Sequence, residues 1–352
     1  MLTQGFFEPP FFLKNGLLMT LNSAFNYSKN WQKKVDLYPL NYQSVIFNGY
    51  QNTPIYAQVA IPKNAKSTII ATYGITGDLT NQWFLQVLAH KAFHQNHAII
   101  LFDWRSHGKT AELSPALTSD GLYEGKDFVL IATQAKKMGC PTPFCFMGYS
   151  LGGKLALWGL NESRFINENK NYSDLKESDI KGCAVVCPSL DAKKSLLYLM
   201  NHPIYKYVEK AITKNLKKLA LSLYEYHPQQ FDLEVINNIN SIWNFDQELV
   251  IKKLNFKTVE EYYHATSPLN FLPDLNKPTF ILYAEDDPLF CPSIVPNLIN
   301  IAKANSQINL FLTIYGGHVG YISNKYCQQY WQDQDQWYSW NRILDWWNLL
   351  IG

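Results

Sequence analysis

The segment Gly148-Tyr149-Ser150-Leu151-Gly152-Gly153 sets a serine between glycines at the spacing G-x-S-x-G, after the strand-like Phe-Cys-Phe-Met and before the helical Leu-Ala-Leu-Trp-Gly-Leu. A strand–turn–helix junction this tight tips Ser150 Oγ into solvent and tolerates no bulky neighbour, so the pattern reads as a nucleophile elbow. A serine hydroxyl is a poor nucleophile at neutral pH, and the reading therefore requires a general base and a group that orients the base. The candidate base is His318, in Tyr315-Gly316-Gly317-His318-Val319-Gly320, directly after the last strong strand signal; the glycines let an imidazole sit on a tight loop over the elbow. For the orienting carboxylate, Phe280-Ile-Leu-Tyr-Ala-Glu285-Asp286-Asp287-Pro288 ends in three acids at a strand's C-terminal edge. Asp287 is favoured because it leaves the strand at the turn, whereas alternation points Asp286 to the opposite side. Asp286 and then Glu285 stay open as alternatives. Charge developing on a substrate oxygen needs preorganised donors. The Leu151 N–H at the positive end of the following helix is one candidate, and the Ile75 N–H in Tyr73-Gly74-Ile75-Thr76-Gly77 is the other.

These residues must be held by a scaffold, and the chain alternates short apolar runs with segments of helical period. Strands are expected at Ser44–Phe47, Tyr56–Ala60, Thr68–Tyr73, Ala98–Phe102, Phe144–Met147, Ala184–Cys187, Phe280–Tyr283 and Leu310–Ile314. Helices are expected around Trp83–Phe93, Tyr123–Lys137, Leu151–Leu160 and Ile294–Ala304. That is the pattern of an α/β fold, a mostly parallel central sheet with helices on both faces. The Gly49/Asn52/Pro54 turn joins the first two strands into an antiparallel edge hairpin. Between about Leu190 and Pro273 the alternation stops and the chain reads as helix, so residues 190–273 are expected to form a helical cap inserted into a core made of 1–189 and 274–352. Within it Val208, Ile212, Leu216, Leu219 and Leu223 make a core-facing stripe, with Lys206, Lys210, Lys214, Lys217 and Lys218 behind it. The alternative for this basic amphipathic helix is transient contact with a membrane or lipid surface. Ile343, Leu344, Trp347 and Leu350 mark a terminal helix packed on the sheet.

Composition narrows the chemistry further. The 352 residues carry 31 Lys+Arg against 29 Asp+Glu, a net +2, which offers nothing to hold a nucleic acid backbone. Hydrophobic residues are 47% and charged residues 17%, values that favour a large packed core over disorder. The six cysteines include no C-x-x-C pair, and no apolar run approaches the roughly 18 residues a membrane span needs, so the sequence reads as a cytoplasmic protein. No nucleotide motif occurs, and His90, His94 and His97 lack neighbouring carboxylates, so neither a cofactor nor a metal is expected. Asp103-Trp104-Arg105-Ser106-His107-Gly108 is read as a structural turn, with contact to substrate as the alternative.

Several stretches together resemble the YheT-like branch of the α/β-hydrolases: Pro9-Pro10-Phe-Phe-Leu13-Lys-Asn15-Gly16, Gly74–Gly77, Tyr123-Glu-Gly125-Lys-Asp127, Gly148–Gly153, Phe245-Asp246, Glu261-Tyr262-Tyr263 with Ser267, Asp286-Asp287-Pro288 and Gly316–Gly320. Leu17, Met19, Tyr73 and Ser106 depart from the family pattern, the first three making the entrance and oxyanion region less polar. The resemblance implies the α/β-hydrolase fold and a cofactor-free esterase of short- and medium-chain acyl esters, with Ser150, Asp287 and His318 in the family's catalytic positions. The expected substrate is a small acyl ester with an apolar acyl chain. The competing readings are acyl transfer to a lipid alcohol by the same residues, and a non-catalytic ligand-binding relative.

Overall fold

The computed structural model describes residues 2–27 and 40–352; residues 1 and 28–39 of the range expected for the core lie outside it. Nine strands form one sheet among the described residues: β1 Leu2–Gln4, β2 Gln43–Asn48, β3 Pro54–Ala60, β4 Ser67–Thr72, β5 His97–Phe102, β6 Phe144–Tyr149, β7 Ile180–Val186, β8 Thr279–Ala284 and β9 Ile308–Thr313. Their spatial order is β1-β9-β8-β7-β6-β4-β5-β3-β2. All neighbours run parallel except at the β3 edge, where β3 lies antiparallel to both β2 and β5. The expected edge hairpin is therefore present. Every residue of β4, β5, β6 and β8 is buried, as required of parallel strands covered on both faces, and this explains their unbroken apolar runs. Sequence reading missed β1, which pairs parallel with β9 over three residues, too few to show a period.

The helices that matter for the site are α1 Gly16–Asn22, α2 Trp83–His94, α3 Gly108–Leu113, α4 Glu124–Lys137 and α5 Leu151–Glu162. Helices α4 and α5 pack on each other, and α5 lies on β6 and β7. The Trp-rich terminus forms a helix, Tyr338–Ile351, against α2, β7 and β8, with Ile343, Leu344 and Trp347 fully buried. Indole N–H groups this deep need acceptors, and Trp347 Nε1 donates to Ser67 Oγ at 2.9 Å.

Between β7 and β8 the described chain contains only helices: α6 Ala192–Asn201, α7 Lys206–Tyr226, α8 Leu233–Asn237, α9 Ile242–Phe245, α10 Ile251–Leu254 and α11 Val259–Ala265. Their apolar faces gather into a second cluster apart from the sheet core, centred on Leu216, Ala220, Leu223, Ile236, Val250 and Tyr262. Of the stripe on α7, Leu216 and Leu223 are buried as expected. Val208, Ile212 and Leu219 are only half-buried, because that face opens onto cavities instead of packed side chains. No helix among the described residues is long and apolar enough to cross a membrane.

Candidate active site

Ser150 sits between the last residue of β6 and the first of α5 with φ 55° and ψ −128°, a conformation a non-glycine residue rarely adopts. Such strain costs about 1–3 kcal/mol and persists only where the surroundings over-determine it. Here the Ser150 N–H donates to Val186 O at 3.0 Å and the Ser150 carbonyl accepts from Lys154 N at 3.2 Å. The two glycines make the turn possible by close approach. A Cβ on Gly148 would lie 2.4 Å from Gly152 O, and one on Gly152 would lie 2.3 Å from Tyr73 O.

The loop after β9 carries His318 over this turn. Its Nε2 lies 2.8 Å from Ser150 Oγ, and its Nδ1 lies 2.8 Å from Asp287 Oδ2. With the Ser150 hydroxyl donating to Nε2, the ring proton resides on Nδ1 and is donated to Asp287. The Leu289 N–H donates to the second carboxylate oxygen of Asp287 at 2.9 Å, which fixes the group from behind. Phe290 presents its ring edge-on to the imidazole, 5.1 Å between centroids. Of the three acids that follow β8, Glu285 is exposed and Asp286 turns the other way, accepting the Gly317 N–H at 2.8 Å. Burial pushes the Asp286 carboxyl up to about 6.

Two supports were not legible as functional. Thr20 on α1 accepts the His318 N–H at 2.8 Å and donates its own hydroxyl to Gly16 O at 2.7 Å. A Cβ on Gly16 would come within 1.8 Å of Asp286 O, so α1 is seated tightly against both loops. The available signal was Asn15, a helix N-cap whose side chain accepts from Leu18 N. The second support is the Asp103–Gly108 turn, which divides between the structural reading and its alternative. Arg105 is structural, its guanidinium forked on Asp127 at 2.7 and 2.9 Å. Trp104, Ser106 and His107, by contrast, line a cavity at Ser150. His107 Nε2 also accepts the Thr76 N–H at 3.1 Å, anchoring the loop that carries Ile75. Among the described residues the Ile75 and Leu151 N–H groups donate to no protein acceptor, and both residues border the same cavity.

Ser150, Ile75, Ile212 and Leu289 stand where two cavities meet. The inner one, about 130 Å³, runs between the elbow and the helices of 190–273 and includes Leu151. The outer one, about 770 Å³, includes His318 and opens past Leu17, Leu21, Phe25 and Tyr207. No group of three or more His, Cys, Asp or Glu side chains converges as a metal ion requires among the described residues.

Residues 68–325 match the family model for the alpha/beta hydrolase fold. The chain is 46% identical over 345 residues to "Putative esterase slr0264" of Synechocystis, covering 97% of this chain and 94% of that protein. It is 23% identical over 318 residues to the monoacylglycerol lipase of Saccharomyces cerevisiae, covering 87% of this chain and 67% of the yeast protein. A 24% likeness to mouse phospholipase ABHD3 covers 76% of this chain and 62% of that protein. In architecture it is similar to the esterase Pf2001 of Pyrococcus furiosus, with TM-score 0.55 and 16% identity over 89% of this chain and 94% of the other, a likeness of fold alone. The parallel sheet, the strand–turn–helix serine and the family match over nearly three quarters of its length together make this chain a member of the α/β-hydrolase fold family.

Proposed function

We propose that the protein is a serine hydrolase that cleaves carboxylic esters through an acyl-enzyme on Ser150. The observation that carries this is the unbroken hydrogen-bond chain from Asp287 through His318 to Ser150, two links of 2.8 Å each, ending at a cavity wall. In this reading Ser150 Oγ attacks the acyl carbonyl as His318 Nε2 takes its proton, and the imidazolium that forms is stabilised by Asp287. The Leu151 and Ile75 amides receive the developing oxyanion. His318 then protonates the departing alcohol, and a water activated by the same imidazole releases the acid. The esterase description of the Synechocystis relative supports this chemistry, and the stretches shared with the YheT-like branch support placement there.

Residues 190–273 act as a cap over a core formed by 1–189 and 274–352. The exposed Phe25, Ile204 and Tyr207 near the outer opening, with Lys206 and Lys210 beside them, support transient contact of that rim with a lipid surface. The six free cysteines, five of them buried, support a reducing, cytoplasmic setting.

The test is labelling of the purified protein with a fluorophosphonate, alongside hydrolysis of 4-nitrophenyl acyl esters. Wild type should be labelled and active, and Ser150→Ala should lose the label and about three to six orders of magnitude in turnover. Ordinary activity in Ser150→Ala would refute the mechanism. Release of free acid, not a new ester in the presence of lipid alcohols, separates hydrolysis from acyl transfer.

A further inference from the structure

The two cavities at Ser150 are chemically unequal. In ester cleavage the leaving alcohol takes its proton from His318 Nε2, so the alcohol half must lie on the side that His318 faces. His318 borders the outer cavity, and Leu151, whose amide would hold the carbonyl oxygen, borders the inner one. Resting on the proposed hydrolase chemistry, this assigns the acyl chain to the inner cavity. Its volume of about 130 Å³ is near the roughly 150 Å³ that accommodates benzene, so it suits an acyl group of about six heavy atoms.

Most of that cavity is apolar, but polar side chains enter it from the core, Thr118 and Asp120 among them, and from the cap. Asp246 and Tyr263, from the Phe-Asp and Tyr-Tyr stretches between β7 and β8, both face it. The Tyr263 hydroxyl donates to Asp246 Oδ2, and among the described residues no protein donor reaches the other oxygen, although Asp246 is only 9% exposed. Lys154, on the elbow helix α5, donates to Asp120, which also lines the cavity, at 2.8 Å and to Thr266 Oγ1 at 3.2 Å. A packing role alone would be met by an apolar residue, since a half-satisfied buried carboxyl is costly. Burial, with the charge of Asp120 next, pushes the Asp246 carboxyl up against the opposing pull of Tyr263 and Lys154, which favours the protonated form that can donate. A neutral oxygen acceptor completes this group. A carboxylate does not, because it would lie beside Asp120.

We propose that Asp246, held by Tyr263 on the cap side of the inner cavity, is a specificity-determining residue that hydrogen-bonds a neutral ketone or hydroxyl oxygen on the distal part of a short acyl group.

The test compares 4-nitrophenyl esters of 4-oxopentanoic and 5-oxohexanoic acids with those of 4-methylpentanoic and 5-methylhexanoic acids, near-isosteres lacking the oxygen. Wild type should favour the oxo ester of at least one length by about 10- to 100-fold in kcat/KM. Asp246→Leu should invert that ratio, and Tyr263→Phe, which leaves the carboxyl unheld, should shrink it. The ratio is taken within each variant, so partial misfolding cancels. Preference of wild type for the methyl esters at both lengths, or an unchanged ratio in Asp246→Leu and Tyr263→Phe, would overturn the assignment. Turnover of neither ester type by wild type would instead remove the hydrolase reading on which it rests.

Discussion

The Thr76 N–H donates to Nε2 of His107, 3.1 Å away, while Nδ1–H of the same ring donates to the Arg105 carbonyl at 2.9 Å. The imidazole is stacked on Trp104 with 3.6 Å between centroids, so one neutral tautomer is held on three sides. Through it the turn after β5 positions the loop after β4, and with it the Ile75 amide.

Burial lowers His107 from its ordinary value to about 4. Because the folded value lies below the unfolded one, the neutral ring's contribution is fully present above about pH 6.5 and is lost as pH falls through 4. Protonation would also turn Nε2 into a donor facing the Thr76 donor. His107→Phe keeps the stack and removes the titration. Urea unfolding at pH 7 and pH 4 should show wild type losing more stability than the variant, by on the order of 3 kcal/mol. At pH 7 the variant should lose about tenfold in kcat because the Ile75 amide is no longer anchored. Equal pH slopes in the two proteins would contradict the buried neutral imidazole.

Asp286 and Asp287 are adjacent carboxylates with separate partners, and asparagine substitution should separate them. Asp287→Asn leaves the imidazole without its acceptor in the correct tautomer and should lower kcat by about 10³–10⁴-fold with little change in melting temperature. Asp286→Asn retains an oxygen for the Gly317 N–H and should change kcat less than about threefold. The wild-type Asp286 carboxyl, raised to about 6, contributes stability that is present below pH 4 and lost as pH rises through 6. Asp286→Asn should therefore gain relative to wild type between pH 4 and pH 7, read by thermal melts at both.

The parallel strands were legible because both faces of β4, β5, β6 and β8 are covered, which makes their apolar runs continuous. Gly148 and Gly152 announced the elbow for a backbone reason, since their missing Cβ atoms are what allow Gly152 O and Tyr73 O to approach. What sequence reading missed acts at long range. Thr20 meets His318 across 298 positions, and nothing in the period of Gly16–Asn22 announces that contact. His107 and Asp246 are hidden differently: each lies in a stretch with a recognisable sequence pattern, but which side of it meets a cavity depends on tertiary packing.

Thr20 acts through His318, and that makes its test a test of positioning. Its hydroxyl accepts the His318 N–H and donates its own hydrogen bond to Gly16 O, so the backbone of the histidine loop is tied to a helix whose Met19 is fully buried. Thr20→Val preserves shape and branching while leaving a part-buried N–H without an acceptor, a penalty of about 1–3 kcal/mol that the loop can relieve by shifting. A shift of about 1 Å in the imidazole lengthens its hydrogen bond to Ser150, and such misplacement can cost on the order of 100-fold in rate. The expected outcome is a 10- to 100-fold fall in kcat with KM nearly unchanged, slower fluorophosphonate labelling of Ser150, and recovery in Thr20→Ser, which restores the oxygen without the methyl. A purely structural Thr20 would give the opposite pattern: a lower melting temperature for Thr20→Val, with wild-type kcat per folded molecule.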